Sequence, residues 1–228
     1  MPRDALTRGQ IVENAIRLLD EDGLDGLNMR ALGKRLNSAA TAVYWHVDSK
    51  DDLVNLAVDS AWREITLPDS ETVAWQEAAR AMATELHAML ARHPWVVHTF
   101  GSYLTYGPGK ARYDEANIAI YETAGFTGPQ VDQAVTTVFT FVLGHALGTA
   151  APITLMRKLA KDSDDPEQAM RVRLGQARQV AAAYPRLKAR LETPSADDAS
   201  ALHDSFEFGL TVILDGLTSV IRASIEGD

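Results

Sequence analysis

Apolar residues recur every three or four positions through most of this chain, a spacing that predicts helices separated by polar or proline-containing breaks. Thr7 and Gln10 form a capping-box pair, and Ile11, Ala15, Leu18 and Leu19 continue as one stripe, predicting a first helix that ends near Gly23. Asn28 is placed to cap a second helix whose Leu32 and Leu36 share a side. Asn37-Ser38 supplies turn chemistry, and Val43 and Val47 share a side of a third helix. Ser49 with Asp52 makes another capping box, opening a fourth helix through Leu53, Leu56 and Ala57. Leu67-Pro68-Asp69-Ser70 punctuates the chain and marks a domain boundary, dividing residues 1–67 from residues 68–228.

Beyond that boundary the periodicity stays helical. A helix is predicted over residues 73–92 and ends at His93-Pro94; a turn-rich stretch holding Gly101, Gly107, Pro108 and Gly109 precedes another from Ala111 to Ala124, before a break from Gly125 to Pro129. Val131 to Ala151 is the most apolar helix. It has the length of a membrane span, but Asp132, Gln133, His145 and several threonines make it too polar for one, so no membrane partner is expected. Val131, Val135, Val138, Val142, His145 and Thr149 form a seam there, with Gly144 and Gly148 admitting close approach of another helix. Phe206, Leu210, Ile213, Leu217 and Val220 form a similar seam beside Gly209 and Gly216. Two such seams predict a helical bundle and, since monomers avoid exposing so much apolar surface, a homodimer. Lys161 to Glu167 and Glu192 to Ser200 read as polar loops, with helices Gln168 to Ala183 and Arg186 to Leu191 between them, bent at Tyr184-Pro185.

The stretch from Asn28 to Lys50 carries the chemistry. If Leu32, Leu36, Val43 and Val47 pack inward, then Thr41, Ala42, Tyr44, Trp45 and His46 surround the rest of the hairpin's second helix, more aromatic surface than an unattached face carries. A helix-turn-helix lays such a helix in the DNA major groove, where short side chains meet base edges and longer polar ones meet phosphates. The bland alternative packs Tyr44 and Trp45 against the first helix. Spacing alone does not decide between them.

Charge narrows the picture. The chain carries a net charge of -9, which argues against coating nucleic acid through a general positive field, yet within residues 1–50 seven bases balance seven acids. DNA contact must therefore be local and N-terminal. The chain has no cysteine, which removes disulfides, thiolate metal sites and cysteine nucleophiles and fits a reducing cytoplasm; the N-terminus lacks the apolar core of a secretory signal. His87, His93 and His98 are spaced by six and five, not the three or four that puts two ligands on one helical face, so no metal and no cofactor is expected. No phosphate-cradling glycine loop, metalloprotease motif or nucleophile elbow is present, which leaves an enzyme unsupported.

The run Tyr44-Trp45-His46-Val47 followed by Lys50, within GLNMRALGKRLNSAATAVYWHVDSKDDLVNLAVD, resembles the signature of the tetracycline-repressor (TetR) family. YETAGFTGPQVDQAVTTVFTFVLGHALG and FEFGLTVILDGL resemble the ligand-binding and dimerisation region of the tetracycline-repressor subgroup. The resemblance implies an all-α protein: an N-terminal three-helix helix-turn-helix domain followed by a helical effector-binding and dimerisation domain. It implies DNA contacts from Arg30, Thr41, Ala42, Tyr44, Trp45, His46 and Lys50, the last near the first turn of the fourth helix, where a phosphate is well held. It implies an effector site in which His98 and Asn117 are polar anchors amid Met82, Leu86, Tyr113 and Phe139. Tyr103, Tyr106, Tyr113 and Tyr121 taken singly read as packing. The departures matter too. Met82 and Leu86 stand where tetracycline-responsive members carry an asparagine and an aromatic, and Pro152 where they carry an acid serving the drug-bound magnesium, so a more apolar or aromatic effector is expected. At the DNA face Ala40 and Thr41 replace the family's frequent glutamine and proline, implying a different operator. The expected function is a homodimeric repressor that leaves a palindromic operator when effector binds. Two alternatives stay open: a DNA-binding dimer without effector, and a helical enzyme with an appended DNA-binding domain.

Overall fold

The computed structural model describes residues 6–69, 72–192 and 199–226, and among these every regular element is helical. Arg3, Asp4 and Ser70, and most of the loop expected from Glu192 to Ser200, lie outside the described residues. The N-terminal helices follow from their caps. Thr7 opens α1 (Arg8–Gly26) through a complete capping box with Gln10, and Asn28 opens α2 (Met29–Arg35) by accepting from the Ala31 N–H at 2.8 Å. Ser49 opens α4 (Lys50–Arg63) by accepting from the Asp52 N–H at 3.0 Å; the Asp52 carboxylate reaches back to the Asp48 N–H at 3.2 Å. Between them α3 (Ala40–Val43) is a single turn. Leu32, Val43, Val47, Leu53 and Ala57 pack with Ile11, Ala15 and Leu19 of α1 as one core.

Gly33 makes the turn between α2 and α3 possible. A Cβ there would lie 2.9 Å from the Ser38 carbonyl oxygen and 3.0 Å from the Ala40 nitrogen, so the chain doubles back against bare backbone. α1 runs past its expected end. Gly23 is not a stop but a kink, with φ of +72°, and the last turn resumes to Gly26.

The second domain starts at α5 (Trp75–Arg92), followed by α6 (Trp95–Thr99), α7 (Pro108–Thr123), α8 (Pro129–Asp162), α9 (Pro166–Ala182), α10 (Pro185–Leu191) and α11 (Ala199–Glu226). Helix α6 falls in the stretch expected to be turn-rich. Helix α8 is longer than expected, running 34 residues and carrying Pro152 inside it rather than ending at Ala151. Proline removes one N–H from the helix ladder, but Pro152 and Gly148, whose carbonyl loses its partner, both face solvent, where water can satisfy that oxygen. α8 is long and apolar enough to cross a membrane, with a mean hydropathy of 1.5 over its best window; here Val131, Ala134, Val138, Val142 and Ala146 join the core shared with α5, α7 and α11.

That packing corrects the expected dimer seams. Val138, Val142, Phe206 and Leu210 are buried inside one chain, and Gly209 is small because the Phe141 ring would lie 2.5 Å from a Cβ there. Gly144, Gly148 and Gly216 instead have nothing within 4 Å of a Cβ, and beside them Leu147, Phe208, Val212 and Val220 are exposed, Phe208 by 73%.

Candidate nucleic-acid interface and effector sites

The helix-turn-helix face is open. Trp45 is 87% exposed and Tyr44 53%, so the Trp45 ring stays free of the core, and Arg30 and Thr41 are exposed beside the half-buried Ala42 and His46. Lys34, which the sequence reading left out, is exposed one turn after Arg30 on α2. Arg35 is held away from such duty by two hydrogen bonds to Glu21, at 2.5 and 2.7 Å, which raise its pKa and lower that of Glu21. Lys50 differs from expectation. Its ammonium donates to the Leu24 carbonyl at 2.9 Å and ties α4 to the end of α1, leaving only its other two N–H donors for a phosphate.

Two polar joints couple this domain to the next. Asp59 on α4 accepts from the Gly109 N–H at 2.7 Å while holding Arg63 at 2.8 Å, so a carboxylate from the first domain caps α7, whose own N-cap is Gly107. A Cβ on Gly109 would lie 2.4 Å from the Asp59 carbonyl oxygen, which demands glycine at this crossing. The second joint centres on His93: Nδ1 lies 2.7 Å from Asp20 Oδ1, and Nε2 lies 3.1 Å from Glu64 Oε1. Trp95 donates to the same Asp20 oxygen at 2.7 Å, and Arg157 of α8 donates to the Asp20 carbonyl. Burial alone would lower the His93 pKa, but the Asp20 hydrogen bond and the charges of Asp20 and Glu64 outweigh it and raise it above the ordinary value.

The expected effector residues divide. Met82, Leu86, Tyr113 and Asn117 are buried, and Phe139 is partly buried against the same core. Tyr113 is hydrogen-bonded to Asn117 and lies 4.9 Å from the Trp62 ring; Phe100 stands 6.5 Å from Trp62 and 5.6 Å from Phe139, so the rings form one layer. Within the buried core the Trp62 Nε1–H and the Tyr121 hydroxyl have no hydrogen-bond partner among the described residues. Burial pushes the Tyr113 and Tyr121 phenols well above their ordinary pKa, so both are neutral donors at any physiological pH. His98 does not join this group. Its Nε2 lies 3.1 Å from Thr154 Oγ1, and it lines a different cavity of about 460 Å³ between the end of α1, α6 and the end of α8. Nor do the three spaced histidines converge: His87 lies 2.9 Å from His145 and stacks on Phe206, while His93 and His98 face the partners above. Among the described residues no group of three or more side chains is arranged to hold a metal ion.

Comparison with known proteins accounts for both halves of this arrangement. Residues 11–57 match the bacterial regulatory proteins of the tetR family, and residues 67–221 match the tetracyclin repressor-like C-terminal domain. The chain belongs to the TetR family. It is therefore a DNA-binding transcriptional regulator and not an enzyme. An HTH-type transcriptional regulator of Saccharopolyspora erythraea is 37% identical over 139 residues, 61% of this chain and 59% of that protein's length. The HTH-type transcriptional repressor DrrR1 of Streptomyces coeruleorubidus is 29% identical over 96% of this chain and 80% of its own. Among solved structures, ActR of Streptomyces coelicolor in complex with actinorhodin superposes with a TM-score of 0.72 at 26% identity, covering 94% of this chain and 96% of that one.

Proposed function

We propose that the chain is a cytoplasmic repressor that binds a palindromic operator as a homodimer and is released by a small, largely apolar or aromatic effector. Its DNA contacts are Arg30, Thr41, Ala42, Tyr44, Trp45, His46 and Lys50, with Lys34 added. The observation that carries this reading is the bare Tyr44-Trp45 face on an otherwise packed N-terminal domain, since large aromatics are kept exposed where a partner covers them. For the effector, the support is the aromatic layer around Tyr113 and Asn117 with two buried, unpartnered donors beside it, Trp62 Nε1–H and the Tyr121 hydroxyl. Burying such groups without partners is costly, and a ligand oxygen offers what the protein withholds. Within this site Met82, Leu86 and Phe139 supply apolar wall; His98, sited elsewhere, is dropped from it. The relative ActR, solved in complex with actinorhodin, supports a ligand-binding role for the second domain. Dimerisation uses the exposed stripe of Phe208, Val212, Gly216 and Val220 with Gly144, Leu147 and Gly148.

The test is selection of operator sequences from random DNA followed by binding titrations with flat aromatic compounds. Selected sites should have twofold symmetry, and an active compound should lose about tenfold in affinity with Asn117→Ala while operator affinity holds. Selected sites without symmetry would remove the dimer from this reading. An Asn117→Ala variant with undiminished response would remove the core effector site.

A further inference from the structure

The cavity at the junction of the two domains is built unlike the aromatic core. Asp22 and Asp25 line it from the end of α1, and Arg157, Lys158 and Lys161 line it from the end of α8. Asp162 on the basic wall offsets one of those cations, so the walls carry two net charges each, of opposite sign. None of these six side chains is in a salt bridge among the described residues, although they share one cavity. Between the walls stand Leu24 and the Trp95 ring, and the cavity's roughly 460 Å³ is of the size that small-molecule sites take.

We propose that this junction cavity is a second small-molecule site, selective for a zwitterion with a flat apolar body, whose occupant fixes the placement of α1 against α6 and α8. The selectivity follows from charge balance. An anion satisfies the α8 wall but faces Asp22 and Asp25, and a cation has the converse difficulty; a molecule with an ammonium at one end and a carboxylate at the other satisfies both. The apolar body lies against Leu24, over the almost wholly buried Trp95. The coupling follows from the walls' ownership, since α1 belongs to the DNA-binding domain while α6 and α8 do not. Arg157 already joins them, its guanidinium donating to the Asp20 carbonyl and lying 3.7 Å from where a Gly23 Cβ would stand. A ligand touching both walls must bind differently to their two relative placements, and by linkage must change operator affinity. Only this coupling rests on the operator-binding reading above; the site itself does not.

Three probes built on one ring test it: para-aminomethylbenzoate, which has both charges, para-methylbenzoate and para-methylbenzylamine, each titrated against the full chain by Trp95 fluorescence, with Trp95→Phe to assign the signal. The zwitterion is expected to bind at least about tenfold more tightly than either single-charge probe. Lys158→Ala/Lys161→Ala should abolish that advantage, and Lys158→Glu/Lys161→Glu should shift preference to para-methylbenzylamine. Both lysines are exposed, so the variants should melt like the wild type. Equal affinities for the three probes, no saturable binding of any of them, or indifference to both double variants overturns the site. Zwitterion binding that leaves operator affinity unchanged overturns the coupling. Loss of the core effector response in Asn117→Ala bears on neither, because Asn117 does not line this cavity.

Discussion

At the scale of single residues, exposure and satisfaction divide the tryptophans and tyrosines into different jobs. Trp45 contributes nothing to the core, so Trp45→Ala should leave the melting temperature unchanged while lowering operator affinity about tenfold or more, as calorimetry and gel-shift titration would show. Tyr121 is the reverse case. Its hydroxyl is buried and unpartnered, so Tyr121→Phe should raise ligand-free stability by about 1 kcal/mol in urea unfolding. An unchanged or lower midpoint would mean that the hydroxyl is satisfied in solution. The exposed aromatic face was legible in the sequence because Val43 and Val47 fixed which side of the turn faces inward. The Lys50 tie to α1 and the siting of His98 were not, because the carbonyl of Leu24 and the hydroxyl of Thr154 that engage them lie 26 and 56 residues away in sequence.

At the scale of elements, local signals succeeded where the physics is local. Thr7, Asn28 and Ser49 cap their helices because cap and amide lie three residues apart, a relation the sequence displays directly. Helix α6, five residues long, has too few positions for a periodicity to show, and the helix expected to end at Ala151 runs on through Pro152, because a proline on a solvent-facing stripe need not end a helix. Nothing local reveals that α7 is capped from another element. Asp59→Ala should cost about 1–2 kcal/mol by removing that cap and should fray the first turn of α7, a loss read by thermal unfolding and far-ultraviolet circular dichroism. Full retention of stability would show that solvent replaces the carboxylate at no cost.

At the scale of the whole molecule, two histidines give the fold opposite pH dependences. The His93 pKa is raised in the folded state, so its contribution to stability is fully present below the unfolded value of about 6.5 and is lost as pH rises through the folded one. The joint between the domains should therefore loosen as pH rises through the raised His93 value, and His93→Gln should flatten the stability profile on that side. His87 is lowered, chiefly by burial and then by His145, so its contribution is present above about 6.5 and is lost as pH falls through its folded value. Stability profiles of the two single variants separate these arms. The proposed association has its own test: Gly216→Leu or Gly144→Leu should shift sedimentation from dimer toward monomer, since among the described residues nothing of the same chain lies within 4 Å of a Cβ at either position. The Asp20–His93–Glu64 joint was not legible in the sequence, because it unites positions 73 and 29 residues apart.

The Asp59 carboxylate also turns one amide into a clock. Because the Gly109 N–H is sequestered by the Asp59 side chain on α4, its exchange with deuterium quickens whenever α4 draws away from α7. The protection of that single proton measures how often the chain samples the detached arrangement. An inducer that works by favouring detachment must speed this exchange in proportion to the operator affinity it removes.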